Sequence, residues 1–148
     1  MEEVIQDTKG LAGLPLFCVL IVVSFLLGQI VLSAQLAVGL ALAIGLTVLI
    51  RTLYFEQRPA KQKFNSYLTK IDASSFPSLH SMRAGVLSTL LILHVQHLWL
   101  GMLFAFCALA VAAARVIQKR HFIHDVIAGL MFGVIIAFVS VKIVSVLL

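Results

Sequence analysis

The 148-residue chain is 61% hydrophobic and 11% charged, where a soluble domain carries roughly 25% charged residues. Charge this sparse and this clustered excludes a soluble globular domain, and no soluble basic domain is left over to bind nucleic acid. The net charge of +5 suits anionic headgroups or a phosphorylated substrate, and at about 20 residues per crossing the length allows one domain, residues 1–148, with about five spans.

The N-terminus, Met1-Glu2-Glu3-Val4-Ile5-Gln6-Asp7, is acidic and lacks the basic start of a cleavable signal, so the first apolar run is expected to stay in the mature protein. Residues 1–10 read as a short polar tail. Residues 11–32, polar only at Ser24 and Gln29, are long enough to span. Ser33-Ala34-Gln35 predicts an uncharged turn, and residues 36–50 a second helix. Fifteen residues cover only about 22 Å at 1.5 Å each, so this helix is expected to extend through Thr52-Leu53-Tyr54-Phe55, with the aromatics at the interface.

Residues 51–77 form the one long polar segment, ending in a predicted loop, Asp72-Ala73-Ser74-Ser75-Phe76-Pro77. Ser78 is suited to cap a helix over residues 79–94. A second uncharged turn, residues 94–97, leads to a helix over 98–114. The polar stretch 115–125 follows, and residues 126–148 are the last span. Cys18 and Cys107 lie inside apolar runs and read as reduced packing residues, suggesting neither a disulfide nor a metal site. Trp99 reads as an interface anchor, with His94 and His97 interfacial beside it. Five spans put the N-terminus, the 51–78 segment and the 115–125 segment on one membrane face. Ten of the eleven Lys and Arg residues then lie on or near that face, all but Lys142.

The stretch Arg115-Val116-Ile117-Gln118-Lys119-Arg120-His121-Phe122-Ile123-His124-Asp125 is either a basic juxtamembrane loop that orients the protein or part of a catalytic site. His121 and Asp125 are four apart, so a helical turn would put them on one face. Phosphate esters repel nucleophiles, and cationic donors on their oxygens remove that obstacle; the planar fork of arginine suits this. Arg51, Arg58 and Arg115 are the candidates. Ser78 and the amide of Leu79 add donors at a helix N-terminus. Imidazole is unprotonated near neutral pH, which makes His121 the expected nucleophile, its tautomer fixed by Asp125. His80 is the expected proton donor to the leaving oxygen, and later the base for a water.

The bland alternatives are a solvent-turned His80 at a helix start, a capping pair of His121 and Asp125, and a snorkelling Arg51. His124 points about 100° away from Asp125 on a helix and is left out of the core site. Lys61, Lys63, Lys119 and Arg120 read as headgroup contacts and topology signals. Arg83 lies one turn after His80 inside an apolar helix, where charge is costly and usually functional, so it is expected to face the site.

In order and spacing, Arg51 with Arg58-Pro59, then Phe76-Pro77-Ser78-Leu79-His80, then Arg115, His121 and Asp125 resemble the three signature motifs of the type-2 phosphatidic acid phosphatase superfamily. Arg51 stands for a usual lysine, Leu79 for a usual glycine and Ala114 for a frequent serine. Leu79 is the largest departure, since glycine allows close backbone approach to a phosphate, but a Pro-Ser-Leu-His version resembles some branches. His80 followed by Arg83-Ala84 resembles the branch that acts on isoprenoid diphosphates.

The resemblance implies an all-α transmembrane bundle, a phospho-histidine intermediate, no metal and no other cofactor, with active-site segments 51–80 and 115–125. The expected substrate is a lipid phosphate, first a polyisoprenyl diphosphate, then phosphatidic acid or phosphatidylglycerophosphate; a lipid phosphotransferase is the variant chemistry. A non-enzymatic protein binding anionic lipids is the contrasting class. The positive-inside rule assigns the basic face to the cytoplasm. The resemblance implies an extracytoplasmic or luminal site, and that side is the expectation because much of the charge is explained by phosphate binding. The family's usual bundle has six spans, so five leave a helix face uncovered, which favours a homodimer.

Overall fold

The computed structural model describes residues 13–60 and 64–148; the N-terminal tail, Lys9, Lys61 and Lys63 lie outside them. The described residues form α1 (Leu14–Leu26), α2 (Ile30–Leu53), α3 (Tyr67–Ala73), α4 (Leu79–Val95), α5 (Leu98–Ile117) and α6 (Ile123–Leu147), with no strand. Helices α2, α5 and α6, of 24, 20 and 25 residues, are long and apolar enough to cross a membrane. Helices α1 and α4 are shorter and also apolar. Phe25, Leu53, Phe106, Leu109, Met131 and Phe138 all stand exposed on helix surfaces. An apolar outer surface of this kind faces lipid rather than water, and the chain is a membrane protein.

The first reversal is not at Ser33-Ala34-Gln35. The chain turns at Leu27-Gly28-Gln29, where Gly28 has φ +76°, a backbone region that glycine enters without steric cost. Ser33 lies inside α2, and its hydroxyl donates to the Ile21 carbonyl of α1 at 3.0 Å. A hydroxyl in an apolar helix can thus mark a helix–helix contact as readily as a turn. The polar segment is also less irregular than expected. Ser66 accepts from the Thr69 amide at 3.2 Å and the Thr69 hydroxyl accepts from the Ser66 amide at 2.9 Å, a reciprocal cap that starts α3. Helix α5 runs three residues beyond Ala114, and α6 begins three residues before Val126.

Helix α4 is the axis of the bundle, packed against α2, α5 and α6. Its closest partner is α6, because glycines remove the side chains between them. A Cβ on Gly129 would stand 2.6 Å from the Ser78 carbonyl oxygen, and one on Gly85 2.9 Å from that of Leu130. The core of Leu36, Met82, Val86, Leu90, Ile136 and Ala137 fills the space between α2, α4 and α6. The C-terminal ends of α2 and α5 and the N-terminal ends of α4 and α6 meet at one end of the bundle, and backbone hydrogen bonds tie the loops there. Ser78 donates to the Asp125 carbonyl at 3.1 Å, Ser75 to that of Glu56 at 2.7 Å, and Ala60 to that of Lys119 at 3.0 Å.

Candidate active site

At that end lies a cavity of about 330 Å³ lined by Arg58, Asp72, His80, Arg115, Arg120 and His121. It brings together one residue or more from each of the three polar clusters. His80 comes from the first turn of α4, whose start is set by Ser78: the Ser78 hydroxyl accepts from the Ser81 amide at 3.4 Å and the Ser81 hydroxyl at 3.0 Å. Arg115 comes from the last turn of α5. Arg58 is held by the carbonyls of Asp72 and Ser74, to which its guanidinium donates. Three guanidinium groups against the single carboxylate of Asp72 make the cavity a place for an anion.

His121 and Asp125 do not share a helical face. His121 precedes α6, just before its N-cap Phe122, while Asp125 is in the first turn. Asp125 Oδ2 accepts from the Phe122 amide at 2.8 Å and from the Ser75 hydroxyl. That carboxylate therefore reaches back over the helix start, as a residue three places into a helix does. His121 Nδ1 lies 3.5 Å from both Asp125 Oδ2 and Ser75 Oγ. With Nδ1 turned to these two oxygens, Nε2 is left for the cavity. Burial holds His121 below the ordinary imidazole value; the Asp125 contact opposes this, and Arg58 and Arg51 reinforce it. Burial also lowers Arg58, with Asp72 opposing and Arg120 reinforcing. Both shifts have the same cause, positive charge crowded where water is scarce. An anion in the cavity would relieve that crowding.

Not every candidate lines the cavity. Arg51 donates to the carbonyls of Ile71 at 3.2 Å and Pro77 at 2.9 Å, so it ties α2 to the loop ahead of α4. Ser78 is fully buried as the cap of α4. Leu79 packs its side chain against the apolar core. Arg83 is buried in α4 with its Nε making no hydrogen bond. It does not line the cavity, which takes His80 rather than Arg83 from α4.

Nothing in the sequence separates Arg120 from the headgroup-contacting cations or marks Asp72 and Ser75 as part of the site, yet Arg120 and Asp72 line the cavity and Ser75 reaches Asp125. Ser75 is one of two serines before Phe76-Pro77, and nothing in its spacing points to residues 46 and 50 positions away.

A second cavity, of about 360 Å³, opens between α1, α4 and α5 and is apolar, with Leu20, Leu87, Leu91, Phe104 and Val111 among its lining. It continues the faces that carry the site. On α4, Ala84 lies one turn beyond His80; on α5, Val111 lies one turn before Arg115. Beside the polar cavity, Glu56, His124 and Asp125 bring three ligand atoms within 4.8 Å of one another.

The PAP2 superfamily model matches residues 32–147 of the chain. The crystal structure of Aquifex aeolicus LpxE is similar with a TM-score of 0.79 at 22% identity, over 93% of this chain and 83% of that one. At that identity the likeness is one of fold.

Proposed function

The chain belongs to the PAP2 superfamily, and from that premise we propose that it is an integral membrane lipid phosphatase acting through a phospho-histidine. The observation that carries this reading is the cationic cavity holding His80 and His121 at the head of an apolar groove on the same two helix faces. The headgroup phosphate enters among Arg58, Arg115 and Arg120, and the chain of the lipid lies along Leu87, Leu91 and Phe104. A water-soluble phosphate ester has no use for that groove.

His121 Nε2 attacks phosphorus while the bond to the leaving oxygen breaks, and His80 gives that oxygen its proton. Asp125 and Ser75 hold Nδ1 and stabilise the positive ring that forms. His80, now neutral, takes a proton from water as the water oxygen attacks the phospho-histidine. The P–N bond breaks, free phosphate leaves, and His121 is restored. Arg51 and Ser78 support this indirectly, by fixing the loop and helix start from which His80 projects.

Residues 1–148 are read as one membrane-embedded domain crossing the bilayer five times, through α1, α2, α4, α5 and α6. The site then faces the extracytoplasmic or luminal side. A polyisoprenyl diphosphate is the first substrate class, resting on the Arg83-Ala84 pair that follows His80 in sequence; Arg83 itself lies outside the cavity lining, so contact with a second phosphate would require its side chain to move. Phosphatidic acid or phosphatidylglycerophosphate follows, and a lipid alcohol in place of water would make the enzyme a phosphotransferase.

The test is release of inorganic phosphate by the purified protein in EDTA, with no acceptor alcohol, from a polyisoprenyl diphosphate and from phosphatidic acid. Wild type is expected to release phosphate and His121→Ala to lose about 10³-fold or more. Equal release by both would remove His121 as nucleophile, and transfer only to an added lipid alcohol would favour the phosphotransferase. Arg83→Ala is expected to weaken hydrolysis of the diphosphate more than of the monophosphate; an equal loss would remove the diphosphate preference.

A further inference from the structure

Glu56 and His124 take no part in this mechanism, yet they meet the unused half of its carboxylate. His124 Nε2 lies 3.1 Å from Glu56 Oε1 and 3.0 Å from Asp125 Oδ1. Asp125 is 0% exposed. Its Oδ2 takes the Ser75 hydroxyl and the Phe122 amide, while its Oδ1 accepts no hydrogen bond. His124 Nε2 is within ion-pairing distance of Oδ1 but not in hydrogen-bonding geometry. A buried carboxylate oxygen with no hydrogen-bond donor carries a desolvation cost, which a cation on its lone pair offsets more fully than an imidazole at ion-pairing distance. The imidazole is held in place from one side, stacked on the Phe122 ring at 5.4 Å and 9°.

The geometry points to a site for a divalent transition-metal ion of the zinc type, liganded by Glu56 Oε1, His124 Nε2 and Asp125 Oδ1. One imidazole and two carboxylates are a zinc donor set, and three protein ligands leave a fourth position for water. Ligand atoms at about 2.0–2.1 Å from a tetrahedral zinc stand about 3.3 Å from one another, close to the two contacts already made by His124. The site opens to solvent through His124, which is 58% exposed, and Glu56, which is 22% exposed, so an ion reaches it without passing through the substrate cavity. Calcium and magnesium prefer all-oxygen sites, which the imidazole disfavours.

Occupancy slows the reaction next door. Metal on Oδ1 draws electron density from the carboxylate, and Oδ2 then holds Ser75 and His121 less firmly. The metal site stands on geometry alone; its effect on rate rests on the phosphatase reading.

The experiment uses the untagged full chain in detergent, stripped with EDTA, desalted and titrated with zinc chloride by calorimetry. One saturable site per chain is expected, weakened at least tenfold in both His124→Ala and Glu56→Gln. No saturable site in wild type, or affinity undiminished in both variants, overturns the proposal; the latter would mean adventitious binding at histidines such as His94 and His97. Both variants in EDTA are expected to release phosphate at the wild-type rate, and added zinc to inhibit wild type alone. Zinc that binds as proposed without inhibiting an active wild type overturns the rate effect. A wild type that binds zinc but never releases phosphate supports the site and sinks the phosphatase reading instead.

Discussion

Ser75 and the Phe122 amide both converge on Asp125 Oδ2, and His121 stands at a longer 3.5 Å from the same oxygen. Asp125 is thus a helix cap whose carboxylate also faces an imidazole, and on the mechanism proposed above Ser75 is the group that keeps it from turning. Ser75→Ala removes a hydrogen bond to a buried charged group, worth about 1.5–3 kcal/mol. Phosphate release by Ser75→Ala is expected to fall about 10- to 100-fold in kcat with KM little changed, and steady-state kinetics checks this; an unchanged kcat would remove Ser75 from the site. The lowered pKa of His121 fixes the sign of a second expectation. A depressed imidazole is already neutral across the neutral range and loses its nucleophilic form only as pH falls through the depressed value. The acid limb of kcat/KM, measured in EDTA, should therefore have its midpoint below the ordinary histidine value of about 6.5. A midpoint above that value would contradict the burial described for His121.

At the scale of elements, the α4–α6 contact decides where His80 sits. Gly129 faces the Ser78 carbonyl at the start of α4, so a methyl group there must push the helix that carries His80. Gly129→Ala is expected to destabilise the protein by roughly 1–3 kcal/mol and to lower activity even where it stays folded. Gly45 is the control: a Cβ there meets nothing within 4 Å, and Gly45→Ala should leave the midpoint unchanged or raise it. Thermal unfolding in detergent reads both, and equal midpoints would mean the close approach is unimportant. The glycine spacing 129–133 was visible in the chain, but it marks a helix interface only once a partner with its own glycine, Gly85, is known to lie opposite.

For the whole molecule, the sharpest question is whether α4 crosses the bilayer, since its 17 residues reach only about 26 Å. Ala60 lies by the site, and Gln96 ends α4 at the other end of the bundle. In a background with Cys18 and Cys107 replaced, Ala60→Cys and Gln96→Cys in sealed vesicles of known orientation are expected to react with an impermeant thiol reagent from opposite sides, Ala60→Cys from the extracytoplasmic or luminal one. Labelling of both from one side would end the reading of α4 as a span. Labelling of Ala60→Cys from the cytoplasm alone would instead favour the positive-inside rule.

The sequence by itself determined that this is an α-helical membrane protein with its polar chemistry gathered at residues 51–80 and 115–125, because hydropathy and charge are carried by each residue wherever it folds. It put the second reversal near residues 94–97 for the same reason. It misread the first, because a serine that bonds the preceding helix and a serine that makes a turn look alike until the neighbour is present. Only the tertiary structure decided that Arg51 and Ser78 turn to the backbone, that Arg120 joins the cavity, and that Ser75 reaches Asp125. Those assignments depend on which atoms of distant segments come within about 3 Å of one another, and no residue carries that information alone.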